Sequence, residues 1–293
     1  MRVALYGRTI NAVSLPHVQR VVDKLKESNA QILIHRDFYS LLKEQVNFRS
    51  VSIELFEQNA SLANKADFLF SIGGDGTLLD TLAFVRNSGI PIMGINTGRL
   101  GFLSTVSIPE IETSIDALVN NRHELDERSL VKFETSSGLF GDLNFALNEI
   151  TIHKKDSSSM ISIHAYLNGV FINTYWADGL IVSTPTGSTA YSLSCGGPIM
   201  VPQSENFIVT PIAPHNLNVR PIIVSSKDSL TLKVEGRQGC FLVSLDSRSE
   251  TIDSLVEMTI TQEKFKVNLI RLQGQDFFNT LHKKLNWGID KRN

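Results

Sequence analysis

The chain has 293 residues, enough for one large domain or two ordinary ones. Its hydrophobic fraction of 42% and charged fraction of 20% are those of a globular protein that buries a core, and its formal net charge of −2 gives no basis for bulk attachment to nucleic acid or an anionic membrane. The two cysteines, Cys195 and Cys240, lie far apart without metal-ligand spacing, which argues against a disulfide framework and for a reducing compartment.

The opening Met1-Arg2-Val3-Ala4-Leu5-Tyr6-Gly7-Arg8 lacks the long apolar core of a secretory signal. No apolar run is long enough to span a bilayer, so a cytoplasmic protein is expected. Val3 to Tyr6 reads as a short buried strand that ends at Gly7. Val18, Val21, Val22 and Leu25 then follow helical spacing, and Ile32-Leu33-Ile34 reads as a second strand. Phe68 to Ile72 forms another strand and runs straight into Gly73-Gly74-Asp75-Gly76-Thr77. A helix carrying Leu78, Leu82 and Val85 follows. Ile90 to Ile95 gives the next strand, ending in Asn96-Thr97-Gly98. Alternating β and α elements predict a parallel sheet with helices on its faces, whose ligands bind at the carboxyl ends of the strands.

The character changes after about Arg122. Leu130 to Lys155 reads as strands broken by Gly-containing turns. Asp156-Ser157-Ser158-Ser159 is a further turn signal, and Asn168-Gly169 marks a hairpin after Ile161 to Leu167. The β pattern continues through Ile222 to Val224, Leu230 to Val234 and Phe241 to Leu245. The expected organisation is a Rossmann-like α/β domain over 1–125, joined by the tail 272–293, and an all-β sandwich over 126–271. The tail reads as a helix with Phe278, Leu281 and Leu285 on one face, packing back on the first domain. The basic runs His282-Lys283-Lys284 and Lys291-Arg292 read as solvated faces.

Three clusters carry chemistry. Glycines at a strand-to-helix junction let main-chain amides approach an anion, and the helix N-terminus favours negative charge there. Gly73, Gly74, Gly76 and Thr77 are the candidate phosphate contacts. Asp75 sits among them, where a carboxylate beside a phosphate cradle suggests phosphoryl transfer with Asp75 receiving or positioning a hydroxyl proton. A tight turn capped by Asp75 is the structural alternative. The loop lacks the Lys-Ser/Thr pair of a P-loop. It also has Leu79 where the dinucleotide fingerprint needs its third glycine.

The second cluster, Asp178 through Tyr191, is dense in hydroxyls and small residues. It suits a phosphate or nucleobase edge, or a loop bonding its own backbone. The third is Asn148-Glu149 within a strand-like run, where two polar residues need partners, unless they lie on an ordinary solvent-facing edge. No histidine pair has metal-ligand spacing, so no metal-ligating set is expected in the protein itself.

Taken in order, these segments resemble the bacterial NAD kinase family along nearly the whole chain. The similarity covers Gly73 to Thr77, then Gly94-Ile95-Asn96-Thr97-Gly98-Arg99-Leu100-Gly101-Phe102-Leu103, then Asn148-Glu149. It continues through Asp178 to Tyr191 with Gly196-Gly197-Pro198, Pro211 to Leu217, and Lys284-Leu285-Asn286-Trp287-Gly288. The resemblance implies ATP-dependent phosphorylation of the 2′-hydroxyl of the adenosine ribose of NAD, giving NADP. It implies that Asp75 contacts that ribose and removes its proton, with Gly76 alongside and Phe102 near the adenine. Asn148 and Glu149 would bind the second ribose, and Asp178 the nicotinamide end. Thr186, Thr189, Ala190, Tyr191, Ser194 and Ala213 would complete the NAD contacts, in a site at a domain interface.

The resemblance further implies a divalent metal, magnesium, arriving with ATP, and a homodimer or homotetramer. Asp246-Ser247-Arg248 stands where the family often carries Asp-Gly-Gln, so Arg248 either adds charge near a phosphate or lies in an exposed turn. A lipid kinase would share the first loop, and a non-catalytic dinucleotide sensor would share the binding residues.

Overall fold

The computed structural model describes residues 1–49, 51–57, 62–98, 101–155, 159–236, 239–254 and 256–288. The expected turn at Asp156-Ser157-Ser158, the Arg99-Leu100 part of the second glycine segment, and Lys291-Arg292 lie outside the described residues. The chain divides into two units, Met1–Glu127 with Val267–Asn293, and Arg128–Lys266.

The first unit begins with β1 (Arg2–Tyr6), whose Val3, Ala4 and Leu5 are buried. Helix α1 (Leu15–Glu27) has a proline in its first turn and buries Val18, Val21, Val22 and Leu25, one stripe at helical spacing. It stops where Asn29 takes φ +52, with the Ala30 amide bonded back to the Leu25 carbonyl. Then come β2 (Gln31–His35), α2 (Arg36–Leu42), β3 (Ile53–Phe56), β4 (Phe68–Gly73), α3 (Asp75–Asp80), α4 (Leu82–Val85), β5 (Ile92–Asn96), α5 (Ile111–Val119) and β6 (His123–Arg128). Strands β1 and β2, β2 and β3, β1 and β4, and β4 and β5 all pair in parallel. From β1 the chain builds outward through β2 and β3, then resumes on the other side with β4 and β5. The strand order therefore reverses between β1 and β4. That is the crevice where open α/β sheets take their ligands.

The second unit holds β7 (Val131–Thr135), β8 (Phe145–Ala146), β9 (Glu149–Lys154), β10 (Ile161–Leu167), β11 (Val170–Ala177), β12 (Gly179–Ser183), α6 (Tyr191–Ser194), β13 (Asn206–Ile212), β14 (Ile222–Ser225), β15 (Leu230–Glu235), β16 (Cys240–Leu245), β17 (Arg248–Asp253) and β18 (Glu257–Gln262). They form two six-stranded sheets, in the orders β11-β10-β15-β18-β7-β8 and β14-β13-β12-β9-β16-β17. Alternate residues such as Ile161, Ile163 and Ala165, or Phe241, Val243 and Leu245, are buried. Both sheets feed one apolar cluster, which is sandwich packing. The expected hairpin is present, with φ +50 at Asn168 and +79 at Gly169.

The chain then returns to the first unit. Strand β19 (Val267–Leu272) pairs parallel with β5 at Leu269 and Ile92, giving the sheet order β3-β2-β1-β4-β5-β19-β6. The sequence reading drew the domain boundary after Arg271. The structure differs because Val267, Leu269 and Ile270 bury their side chains in this sheet rather than in the sandwich.

 Helix α7 (Phe277–Leu285) is capped by Asp276, whose side chain accepts from the Asn279 amide at 2.7 Å. Of its expected apolar face only Leu281 is fully covered, while Phe278 and Leu285 stay partly exposed. Among the described residues no helix is long and apolar enough to cross a membrane.

Candidate active site

In the first unit the site grows from two glycines that permit close approach. A Cβ on Gly94 of β5 would meet the Ser104 main chain at 2.6 Å, so only glycine lets the following loop fold back over the strand end. The loop is tied there by Val106 N to Gly94 O at 3.0 Å and Asn96 N to Val106 O at 2.8 Å. A Cβ on Gly101 would lie 1.8 Å from Asp75 Oδ1, so a second glycine admits the carboxylate itself.

Asp75 opens α3 and accepts three consecutive main-chain amides, from Phe102 at 2.8 Å, Leu103 at 3.1 Å and Ser104 at 2.8 Å. Two of them share Oδ1 and one takes Oδ2. An ionised carboxylate offers about four acceptor positions, so one remains, on Oδ2. Around it the loop is open: a Cβ on Gly74 or Gly76 would find no atom within 4 Å. Gly73 is different, because its Cβ would collide with Thr77 Oγ1 at 2.4 Å. Gly73 thus serves the turn, whereas Gly74 and Gly76 leave space outside it. Phe102 is half-buried beside them.

Sequence reasoning missed a neighbouring group. Asp80 of α3 accepts from Tyr6 Oη at 3.3 Å and pairs with Arg8 Nε at 3.1 Å, which holds the Tyr6-Gly7-Arg8 end of β1 to the glycine-loop helix. Burial and the Asp80 charge push the Tyr6 phenol up to about 12. The signal was present in Gly7-Arg8 at a strand end, but nothing in the sequence joined it to Asp80.

In the second unit the chain leaves the ladder between β8 and β9, at Leu147 and Asn148. Their carbonyls are held from the end of β12. Thr184 Oγ1 donates to Leu147 O at 2.5 Å, and Thr184 N to Asn148 O at 2.9 Å. A Cβ on Gly187 would lie 2.1 Å from Asn148 O, so this glycine is what lets the two segments touch. The amides of the same stretch are held from the β16–β17 turn. Asp246 accepts from Leu147 N and Asn148 N, both at 2.8 Å, and from Glu149 N at 3.2 Å.

Asn148 is buried, and Glu149 is nearly so, with a buried Oε2 that has no hydrogen-bond partner. Burial and the nearby Asp246 carboxylate push the Glu149 carboxyl up to about 8, opposed by the Tyr191 amide. Burial raises Asp246 as well. Three amides and Arg248 favour its ion, so Glu149 is the member of the pair that keeps the proton.

The hydroxyl-rich segment divides by role. Thr184, Ser188 and Ser192 bond inward, Ser188 Oγ with both Met200 O and N, and Ser192 Oγ with Thr210 Oγ1 at 2.8 Å. These three tie the segment to distant parts of the unit. Thr186 is buried and accepts from Arg128 Nη1 at 3.2 Å. Thr189 and Ala190 are partly exposed, and Tyr191 and Ser194 are exposed. Burial raises the Tyr191 phenol first, then the neighbouring Cys195 thiol, with Asp178 adding to the rise. Asp178 pairs with Lys154 Nζ at 2.5 Å. Ala213 is exposed at φ +44, a left-handed conformation that is uncommon for a residue with a Cβ. Among the described residues no three His, Cys, Asp or Glu side chains are grouped to hold a metal ion.

Residues 3–123 match the ATP-NAD kinase N-terminal domain, and residues 147–272 the ATP-NAD kinase C-terminal domain. The chain is 48% identical over 293 residues to an NAD kinase of Cytophaga hutchinsonii and 44% identical over 295 residues to one of Flavobacterium psychrophilum, covering all of each chain in both cases. A crystal structure of an NAD kinase from Archaeoglobus fulgidus in complex with ATP superposes with a TM-score of 0.77 at 29% identity, over 98% of this chain and 99% of that one. The yeast NADH kinase complexed with NADH shares the fold, with a TM-score of 0.88 at 22% identity over 99% of this chain and 89% of the other.

Proposed function

The chain belongs to the NAD kinase family, and we propose that it transfers the terminal phosphoryl group of ATP to the 2′-hydroxyl of the adenosine ribose of NAD, giving NADP. The full-length likeness, covering both family domains, carries this reading. No observation favours a lipid acceptor or a sensor without turnover.

The ribose hydroxyl is a poor acid, and the transition state for phosphoryl transfer is loose, so little proton transfer is needed early. Positioning and charge stabilisation then carry most of the barrier reduction. In our reading the remaining acceptor position on Asp75 Oδ2 takes the hydroxyl hydrogen, orients the oxygen and receives the proton late. Amides of the Gly73 to Thr77 turn receive phosphate oxygens, for which the open space at Gly74 and Gly76 is suited. Phe102 packs near the adenine. Asn148, Glu149, Asp178, Thr186, Thr189, Ala190, Tyr191, Ser194 and Ala213 contact NAD. Protonated Glu149 is a hydrogen-bond donor as well as an acceptor, which suits a ribose hydroxyl.

Magnesium enters as part of the MgATP substrate, since this ion keeps several waters and binds through phosphates and one or two carboxylates. The enzyme works in the cytoplasm as a homo-oligomer. The deciding experiment supplies the purified protein with NAD, ATP and magnesium and measures NADP. Product is expected. Its absence, with NAD binding intact, would establish a sensor instead, and phosphorylation of a lipid acceptor alone would move the chain to the other kinase class.

A further inference from the structure

The turn between β16 and β17 is short: Leu245 pairs with Arg248 across it, and Asp246 bends it at φ +52. Neither charged residue of this turn is a simple surface group. Asp246 is half-buried and accepts three amides in a row, and its own amide donates to Glu149 O at 3.1 Å. Arg248 donates from Nη1 to the Leu143 carbonyl and from Nη2 to the Phe145 carbonyl, with its guanidinium 5.7 Å from the Phe145 ring centre.

Successive amides of a strand point to opposite sides. Those of Leu147, Asn148 and Glu149 converge on one carboxylate, so the chain from the end of β8 to the first residue of β9 forms a concave nest of N–H groups. It carries the chain from β8 in one sheet to β9 in the other. Without Asp246 three donors at this crossing would lose their acceptor, which costs free energy. On the opposite side Thr184 bonds the Leu147 and Asn148 carbonyls, an approach that Gly187 permits. The main chain of Asn148-Glu149 is thus gripped from both sides, while Glu149 Oε2 is left buried without a partner.

We propose that Asp246 and Arg248 are positioning residues, which hold the backbone at 143–149, where it crosses between the two sheets, so that the Asn148 and Glu149 side chains are presented to NAD in one geometry. This rests on the reading that Asn148 and Glu149 contact NAD. In this chain Arg248 does its work through the Leu143 and Phe145 carbonyls.

The test measures the Kd for NAD by calorimetry without ATP, together with kcat and the KM for ATP from NADP formation. Arg248→Leu is expected to weaken NAD about tenfold while kcat stays within about threefold and the KM for ATP is unchanged. Arg248→Lys, which still reaches one carbonyl, is expected to recover part of the loss. Asp246→Asn sets an amide NH₂ against main-chain N–H groups and is expected to weaken NAD further. If that variant does not fold, the two Arg248 variants decide alone. Unchanged NAD affinity in folded Arg248→Leu overturns the proposal, as does an equal loss for NAD and ATP, which is what general destabilisation gives. Asn148→Ala separates the two readings. If it leaves the NAD affinity intact, the NAD contact itself fails. If it weakens NAD and Arg248→Leu does not, the contact stands and the positioning role falls.

Discussion

Asp75 in the first unit and Asp246 in the second each accept three consecutive main-chain amides from a segment distant in sequence, at 2.8–3.1 Å and 2.8–3.2 Å. Their neighbours differ. Asp75 is partly exposed, with open space at Gly74 and Gly76. Asp246 is half-buried as well, but burial raises its carboxyl, and Glu149 and Arg248 flank it. The same local bonding therefore supports two roles. An aspartate that organises a loop and keeps one acceptor position open to solvent can also meet a substrate. One whose carboxylate is flanked by Arg248 and Glu149 acts through the residues it holds.

Four substitutions test this contrast, in order of expected effect. Asp75→Asn removes the acceptor and sets an NH₂ group against the amides of residues 102–104. We expect kcat to fall by about 10²–10⁴-fold with NAD still bound. Near-wild-type turnover would remove Asp75 from the proton-accepting role. Gly101→Ala keeps the carboxylate but displaces it, since the new Cβ would lie 1.8 Å from Oδ1. A misplacement of about 1 Å costs roughly 10²-fold in rate, so a large kcat loss without loss of the acid group is expected. If turnover is unchanged, the placement of Asp75 does not matter.

Glu149→Gln tests the buried pair through pH. Folded Glu149 keeps its proton up to about 8, against an ordinary value of 4.5. Its contribution to stability is therefore complete below about 4.5 and is lost as pH rises towards 8. The neutral glutamine escapes that loss. The urea midpoint of the wild type should fall relative to the variant across this window, and parallel pH curves would contradict the shift. The smallest effect belongs to Gly76→Ala. Its Cβ meets nothing, and alanine favours the helix, so the melting temperature should hold or rise slightly. The KM for ATP should rise about tenfold if phosphate approaches there. An unchanged KM would argue against the glycine cradle.

Much of this was legible in the sequence because the signals were local. Val3 to Tyr6 and Phe68 to Ile72 are apolar on both faces, as central parallel strands must be, and Asn168-Gly169 can hardly be anything but a hairpin turn. The strand Ile53–Phe56 escaped notice because it is short, half-exposed and at a sheet edge. Strand β6 escaped because His123-Glu124-Leu125-Asp126-Glu127-Arg128 is almost wholly polar. Asp75 was readable as a reactive carboxylate among glycines, but its three amides come from 27–29 residues away. The bonds of Asp246 reach across 97–99 residues, and no periodicity carries such a contact. The hydroxyls from Ser183 to Ser192 could not be sorted by composition, because inward and outward side chains in a turn have the same chemistry.

Strand β19 gives the first unit a particular order of assembly during synthesis. The sandwich, Arg128–Lys266, is one continuous stretch and is complete as soon as residue 266 has been made. The parallel sheet is not: the far side of β5 is covered only at its carboxyl end, by the Val106 bridge, until Val267–Leu272 emerges. Until then the nascent chain carries a partly unpaired parallel edge, a template for wrong pairing with another chain. The unit translated first is thus the one finished last, and a ribosome stalled before residue 267 would release a folded sandwich attached to an open, aggregation-prone sheet.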